Sequence, residues 1–125
     1  MRRKTLKSTA LSGQIADRIR VEIASGVYKP GDKIPPVRGY SEELGVTTNT
    51  LQKAFRILGD EGLIEAKSTS GRFVTSDTSV IDGVRQRMRS EVLTRMCNAA
   101  RRLGYTKAEV ISFVSNYFES REKEK

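Results

Sequence analysis

The sequence contains no histidine and only one cysteine, Cys97. A disulfide within the chain is therefore impossible, and a single chain cannot supply a zinc site of the cysteine and histidine type. Catalytic triads that use histidine as the base are excluded as well. We interpret Cys97 as a small apolar residue of a helix, with a redox switch as the alternative.

Long apolar runs and clusters of carboxylates are also missing. No apolar stretch approaches the roughly 20 residues of a membrane-spanning helix, and none follows the basic N-terminus as it would in a secretory signal. We therefore expect a cytoplasmic protein without a membrane partner. Without histidine or clustered carboxylates, we expect neither enzyme activity nor a cofactor.

Basic residues exceed acidic ones, and the net charge is +8. This balance favours nucleic acid as the partner, ahead of an anionic membrane. Residues 2–7 carry four basic residues and no acid, residues 8–78 carry nine of each, and residues 79–125 carry ten basic and six acidic residues. A DNA site in the middle of the chain must therefore depend on the local placement of cations.

The N-terminal part of the chain reads as a flexible basic arm, residues 1–11, followed by three helices. Ser12 can cap the first helix, whose apolar stripe is formed by Ile15, Ile19 and Ile23. Gly26 ends it. After the turn at Pro30 and Gly31, Ile34 can add a short strand. Pro35 and Pro36 open a second helix, which ends at Gly45.

The third helix, Thr47–Leu58, follows after a very short gap, with Thr47 as its cap. Its inward face is predicted to be Leu51, Ala54, Phe55 and Leu58. Its outer face carries Thr48, Asn49, Gln52, Lys53 and Arg56. Two strands follow, at residues 63–67 and 72–75, with a turn at residues 68–71. A helix, a tight turn, a second helix and a hairpin together indicate a winged helix-turn-helix over residues 12–76.

The C-terminal segment, residues 79–120, is predicted to form a helical hairpin. Gly104 ends its long first helix, and Thr106 and Glu109 form a capping box for the next. The hairpin cannot bury its apolar stripe alone, so we expect a second copy to cover it in a symmetric homodimer. The expected dimerisation residues are Val84, Met88, Val92, Met96, Val110, Val114 and Tyr117. The arginines on the far side are interpreted as a solubilising face, with a second DNA surface as the alternative.

Several polar residues have the chemistry of DNA contacts. Asn49 and Gln52 can pair with adenine, and Lys53 and Arg56 can reach a base or a phosphate. The alternative is an ordinary solvated helix face. Arg38, in the first turn of the second helix, suits a phosphate or an ion pair with Glu42. At the tip of the wing, Gly71 allows a close approach of the backbone, and Arg72 can enter the minor groove.

The chain resembles the GntR family of bacterial repressors over about residues 12–76. The resemblance is carried by Gln14–Asp17, Ile23–Gly26, Lys29–Pro35, Val37–Arg38, Glu43–Val46, Asn49–Leu51, Ala54–Phe55, Leu58, Glu61–Ile64 and Phe73–Val74. The segment Ala99–Tyr105 and the helix after it are similar to the YtrA subfamily. The family implies a winged helix that binds palindromic operators as a homodimer, and the subfamily implies a two-helix dimerisation segment and repression of neighbouring transporter genes.

Carried over position by position, the resemblance implies DNA contacts for Arg38, Thr47, Asn49, Thr50, Gln52 and Gly71. Thr48 stands where the family usually has arginine, so one strong contact is missing. We expect a sequence-specific DNA-binding transcription regulator, a repressor that occupies an operator in double-stranded DNA. The alternative is a winged-helix module that binds protein instead of DNA.

An effector ligand is a further possibility that the sequence leaves open. The C-terminal segment is too small for a ligand domain of its own. Adaptable apolar space for an unidentified small molecule can lie at the dimer interface, beside Met88, Met96, Tyr105, Phe113 and Tyr117. Core packing is the alternative role of these five side chains.

Overall fold

The computed structural model describes the backbone of residues 2–123 and the side chains of residues 10–122. Its helices and strands are α1 (Arg2–Ser25), α2 (Val37–Leu44), α3 (Thr48–Asp60), β1 (Ile64–Ala66), β2 (Arg72–Val74), α4 (Thr78–Arg102) and α5 (Lys107–Lys123). The predicted fold class, mainly helical with a small β wing, is confirmed. The chain divides into two compact units, Met1–Arg85 and Gln86–Lys125.

The core of the N-terminal unit forms where α1 packs against α3. Ile15, Ile19 and Ile23 are buried as predicted, because a spacing of four residues places them on one face of the helix. On α3, Leu51 and Leu58 are fully buried for the same reason. The inward faces of both helices are therefore confirmed.

The start of α1 differs from the prediction. The helix begins at Arg2, since residues 2–11 contain no glycine or proline that would stop it. Ser12 is therefore not a cap: it is buried inside the helix, and its Oγ donates to the carbonyl oxygen of Thr50 (3.3 Å). The side chains of residues 1–9, which include every basic residue of the predicted arm, lie outside the described residues.

An ion pair joins Arg20 of α1 to Glu61, the residue that follows α3. It was not predicted from the sequence. Arg20 donates through Nε to Glu61 Oε1 (2.8 Å) and through Nη2 to Oε2 (2.6 Å). Both side chains are largely buried. The hydrogen bond to Glu61 raises the pKa of Arg20 above its usual value. This two-pronged pair has the geometry of a strong charge-assisted interaction.

The helix-turn-helix is formed by α2, a tight turn and α3. Gly45 ends α2 with φ 70°, a left-handed conformation that glycine adopts readily. The N–H of Val46 then donates to the carbonyl oxygen of Ser41 (3.0 Å). The rings of Tyr40 and Phe55 lie 6.3 Å apart and pack the second helix onto the third. The predicted motif is confirmed in both helices and the turn.

The wing is an antiparallel hairpin of β1 and β2, shorter at both ends than predicted. Ile64 pairs with Val74, Glu65 with Phe73, and Ala66 with Arg72. A short 3-10 turn, Ser68–Ser70, joins the strands. The segment before α2 adds to the sheet, since Ile34 N–H donates to the Arg72 carbonyl oxygen (2.9 Å) and Lys33 bridges to Phe73. The short strand predicted at Ile34 is thus present as a bridge.

In the C-terminal unit, α5 begins with the predicted capping box. Glu109 Oε1 accepts from the backbone N–H of Thr106 (2.9 Å), and Thr106 Oγ1 accepts from the backbone N–H of Glu109 (3.2 Å). Gly104, with φ 83°, marks the end of the preceding helix. Many large apolar side chains of this unit are exposed: Val92, Leu93, Met96, Leu103, Tyr105, Ile111, Phe113, Tyr117 and Phe118.

Candidate nucleic-acid interface

The N-terminus of α3 is organised by two threonines. Thr47 caps the helix: its Oγ1 accepts from the backbone N–H of Thr50 (3.2 Å) and lies 2.9 Å from Thr50 Oγ1. This cap was predicted, and it leaves the first turn of α3 well formed. Thr47 itself is exposed, so a DNA contact and the capping role are compatible.

Thr50 has little exposed surface for the DNA contact that the resemblance implies. Its side chain is buried, since positions 50, 54 and 58 follow one another at helical spacing and share the inward face with Ala54 and Leu58. Its hydroxyl faces Thr47, and its carbonyl oxygen accepts from Ser12. Thr50 therefore positions the start of α3 against α1, and the DNA contact that the resemblance implies for this residue stays a prediction.

The polar residues that remain exposed on α3 form one surface. Thr48, Gln52 and Arg56 follow at spacings of four residues, and Asn49 lies beside them; all four are exposed. Lys53, four residues after Asn49, is half-buried. The first turn of the helix thus presents hydroxyl and amide groups, which can read base edges, and the cation follows two turns later.

Arg38 lies in the first turn of α2 and is exposed. Pro36, which precedes α2, forms no side-chain cap, so the positive end of the helix is open to an anion. No ion pair joins Arg38 to Glu42 among residues 10–122. The alternative role considered for this arginine therefore has no support in the structure.

Gly71 closes the turn of the wing. Its φ of 104° is left-handed, and a Cβ at this position would lie 3.3 Å from Lys33 Cε. Its carbonyl oxygen accepts from the N–H of Lys67 (2.8 Å), whose Nζ lies 5.1 Å from the centre of the Phe73 ring. Gly71 is exposed, so the wing tip permits a close approach of a partner to its backbone.

Arg72 does not extend from the wing tip as a side chain that enters the minor groove would. Its guanidinium lies over the ring of Phe55, with Cζ 4.8 Å from the ring centre. The reason is the strand register: Arg72 pairs with Ala66 two residues from the buried pair of Ile64 and Val74, and alternate strand residues share a face. Arg72 therefore points towards α3, a direction that the turn signals in the sequence do not reveal.

A groove of about 430 Å³ lies between α3 and the wing, which we call the α3–wing groove. Its principal side chains are Gln52, Phe55 and Arg56 from α3 and Ile64, Ala66 and Arg72 from the wing. It brings together Gln52, Arg56 and Arg72, three of the residues predicted from the sequence to contact DNA. Phe55 was predicted only as a core residue, and its contact with Arg72 was missed.

The expected dimerisation residues fall into three groups. Val92, Met96 and Tyr117 are exposed, and Met88, Val110 and Val114 are half-buried. Val84 is buried and belongs to the N-terminal unit, so it has little surface left for a second chain. The sequence could not separate Val84 from the others, because the same apolar periodicity continues along all of α4.

The C-terminal unit also has an apolar groove of about 510 Å³ between its two helices. Met96 from α4 and Val110 and Val114 from α5 line it, together with Cys97, whose side chain is exposed. Tyr105 and Phe113, two of the residues considered for an effector, pack edge to face 5.0 Å apart. Each ring thus has an aromatic partner within the chain, although both side chains remain partly exposed.

Within residues 10–122 there is no group of three or more acidic, cysteine or histidine side chains that would hold a metal ion. None of the helices described here is both long enough and apolar enough to cross a membrane.

The chain matches a family model described as "Bacterial regulatory proteins, gntR family" over residues 11–74. It is 28% identical to the uncharacterised HTH-type transcriptional regulator YhcF of Bacillus subtilis, over 85% of this chain and 88% of that protein. It is 32% identical to the HTH-type transcriptional repressor YtrA of the same organism, over 61% of this chain and 60% of that protein.

Solved structures show the same similarity. A GntR family transcriptional regulator from Listeria monocytogenes superposes with a TM-score of 0.81 and 27% identity, over 84% of this chain and 92% of that chain. The DNA-binding domain of AraR, solved in complex with operator ORX1, superposes with a TM-score of 0.50 and 29% identity, over 52% of this chain and 78% of that chain.

Proposed function

The chain belongs to the GntR family of bacterial regulatory proteins and is a DNA-binding transcription regulator, and on this premise we propose that it represses transcription by occupying a palindromic operator as a homodimer. Residues 12–76 form the DNA-binding part and residues 79–120 the dimerisation part. The exposed polar surface of α3 is the observation that carries this proposal, because it follows the tight turn after α2 and borders the wing.

The proposed division of labour follows from the positions of the side chains. Thr48, Asn49 and Gln52 occupy the N-terminal half of α3, the part of a recognition helix that reaches base edges in the major groove. Arg38 lies at the open end of α2, where a phosphate is favoured. Phosphate contacts set the register, and the short polar side chains of α3 read the sequence.

The homodimer is supported by the exposed apolar side chains of the C-terminal unit. Contiguous exposed apolar surface on a soluble chain marks an interaction site, and a symmetric pair is the commonest arrangement. Two copies would place two α3 helices on half-sites one helical turn, or a multiple of it, apart. Since the bacterial operator lies in the cytoplasm, we place the protein there as well.

Selection of bound duplexes from a random pool, with the full chain, tests the proposal. We expect an enriched palindrome whose binding weakens steeply with salt. A winged helix that binds protein instead would enrich no sequence. Repeating the selection with candidate metabolites tests for an effector, which would change the affinity but not the enriched sequence.

Two variants separate the proposed roles of α2 and α3. Arg38→Ala should weaken binding to all sequences and lower the slope of log affinity against log salt by about one per half-site. Gln52→Ala should relax base preference at one position per half-site, a cost of about 1–3 kcal/mol for the preferred base. A changed base preference in Arg38→Ala, or an unchanged one in Gln52→Ala, would contradict the assignment of that residue.

A further inference from the structure

The lining of the α3–wing groove concentrates positive charge. Arg56 and Arg72 are the charged side chains in its lining, and no carboxylate lines it. Two guanidinium groups that share a groove repel each other unless an anion lies between them. The groove is therefore suited to an anionic ligand.

In the part of the chain whose side chains the structure describes, no acidic side chain pairs with either arginine. Among residues 10–122, no hydrogen bond or ion pair engages the guanidinium of Arg56 or of Arg72. The contrast with α1 is clear, because Arg18 pairs with Glu22 and Arg20 pairs with Glu61. A guanidinium carries five N–H donors, so Arg56 and Arg72 both have donors available for a ligand.

Phe55 orients one of these two arginines before any ligand binds. The guanidinium of Arg72 lies on the Phe55 ring, and Phe55 is itself buried in the core. A stacked guanidinium keeps its N–H groups in the plane at its edge, where they remain able to donate. The ring thus limits the rotamers of Arg72, which lowers the entropy lost when it binds.

We propose that the α3–wing groove holds one backbone phosphate of the operator in each half-site, bound jointly by Arg56 and Arg72. This inference rests on the proposed function. A phosphate is favoured over a base because Arg56 and Arg72 lie beside the second half of α3, whereas base edges are reached from the first turns of a recognition helix. Planar guanidinium groups match phosphate oxygens in a two-pronged manner.

The first test measures binding of the selected duplex over a range of salt concentrations. We expect Arg56→Ala and Arg72→Ala each to weaken binding about tenfold and to lower the salt slope by at most about one per half-site, with base preference unchanged. The double variant should lose less than the product of the two single losses, because both residues bind one phosphate. Arg72→Lys should keep the salt slope but recover only part of the affinity.

Arg18→Ala is the matched control, since Arg18 is an exposed arginine of the same unit that pairs with Glu22. It should leave affinity and salt slope unchanged. Melting followed by circular dichroism checks that each variant is folded. Full additivity of Arg56→Ala and Arg72→Ala, or an altered base preference in either, would overturn the proposal.

The second test replaces one phosphate at a time by a neutral methylphosphonate. At one position per half-site, the wild-type chain should lose as much affinity as the double variant loses on unmodified DNA, and the double variant should lose nothing more there. If the double variant remains sensitive at every position, the two arginines bind no phosphate. Should the wild-type chain select no duplex at all, the proposed function fails; selection with unaffected arginine variants would reject only this inference.

Discussion

The N-terminal unit buries most of its large apolar residues within the chain, whereas the C-terminal unit leaves most of its own exposed. Ile19, Leu51 and Leu58 have no contact with solvent, but Val92 is 58% exposed and Leu103 is 73% exposed. Both units have helices with apolar residues at helical spacing. Periodicity therefore identifies an apolar face, but the number and arrangement of neighbouring elements determine whether the chain itself covers that face.

The largest expected effect is on the free energy of unfolding, when one leucine in each unit is replaced by alanine. Leu58→Ala should lower the free energy of unfolding by about 2–5 kcal/mol at any protein concentration, because it leaves a cavity in a core that one chain completes. Leu103→Ala should have an effect only where copies of the chain associate. Urea unfolding at two protein concentrations measures both. A concentration-dependent loss in Leu58→Ala would contradict the self-contained core.

A charge placed on the exposed face of α4 should break the proposed homodimer. Val92→Glu would bury an unpaired carboxylate in the interface, so we expect the dimer to dissociate at least about 30-fold more readily. The matched control is Val27→Glu, since Val27 is exposed in the N-terminal unit. Sedimentation measures the change. Equal effects of the two substitutions would show that the α4 face is not the interface.

The smallest effect concerns the acidic residues that cap α4 and α5. Hydrogen bonds from Thr106 hold the pKa of Glu109 below its usual value, and hydrogen bonds from Ser79 do the same for Asp77. A carboxyl whose pKa is lowered on folding contributes stability above its unfolded pKa, and this contribution is lost as the pH falls through the folded pKa.

Substituting Glu109 and Asp77 in turn should show how much each carboxylate contributes to the loss of stability at low pH. Glu109→Gln should flatten the decline in stability of the C-terminal unit below about pH 4.5, the ordinary value for glutamate, and Asp77→Asn should flatten that of the N-terminal unit. Urea unfolding as a function of pH checks both. A decline that is unchanged in both variants would mean that neither cap contributes to acid sensitivity.

Local features of the fold were predictable from short stretches of sequence. The Thr47 cap, the left-handed Gly45 and the Thr106–Glu109 box each involve groups within four residues of one another. Such interactions depend on the backbone conformation of a single turn. The inward faces of α1 and α3 were predictable for a related reason, since helical spacing alone places their members together.

The candidate site was only partly predictable. The exposed positions Thr48, Asn49 and Gln52 follow from the polar face of α3, but the burial of Thr50 was missed. A signal existed, because Thr50 lies four residues before Ala54 on the inward face. The direction of the Arg72 side chain depends on the strand register, and the turn residues of the wing do not specify that register.

Helices α2 to α5, the caps at Thr47 and Thr106, the position of the wing and the family were all predictable from the sequence, because they depend on periodicity, capping and motifs along the chain. Three features follow only from tertiary packing. Ser12 donates to the carbonyl oxygen of Thr50, 38 residues away, and the guanidinium of Arg72 lies over the ring of Phe55. Val84 is buried in the N-terminal unit. Contacts between distant elements depend on how whole faces pack, and no local pattern records which partner a side chain will meet.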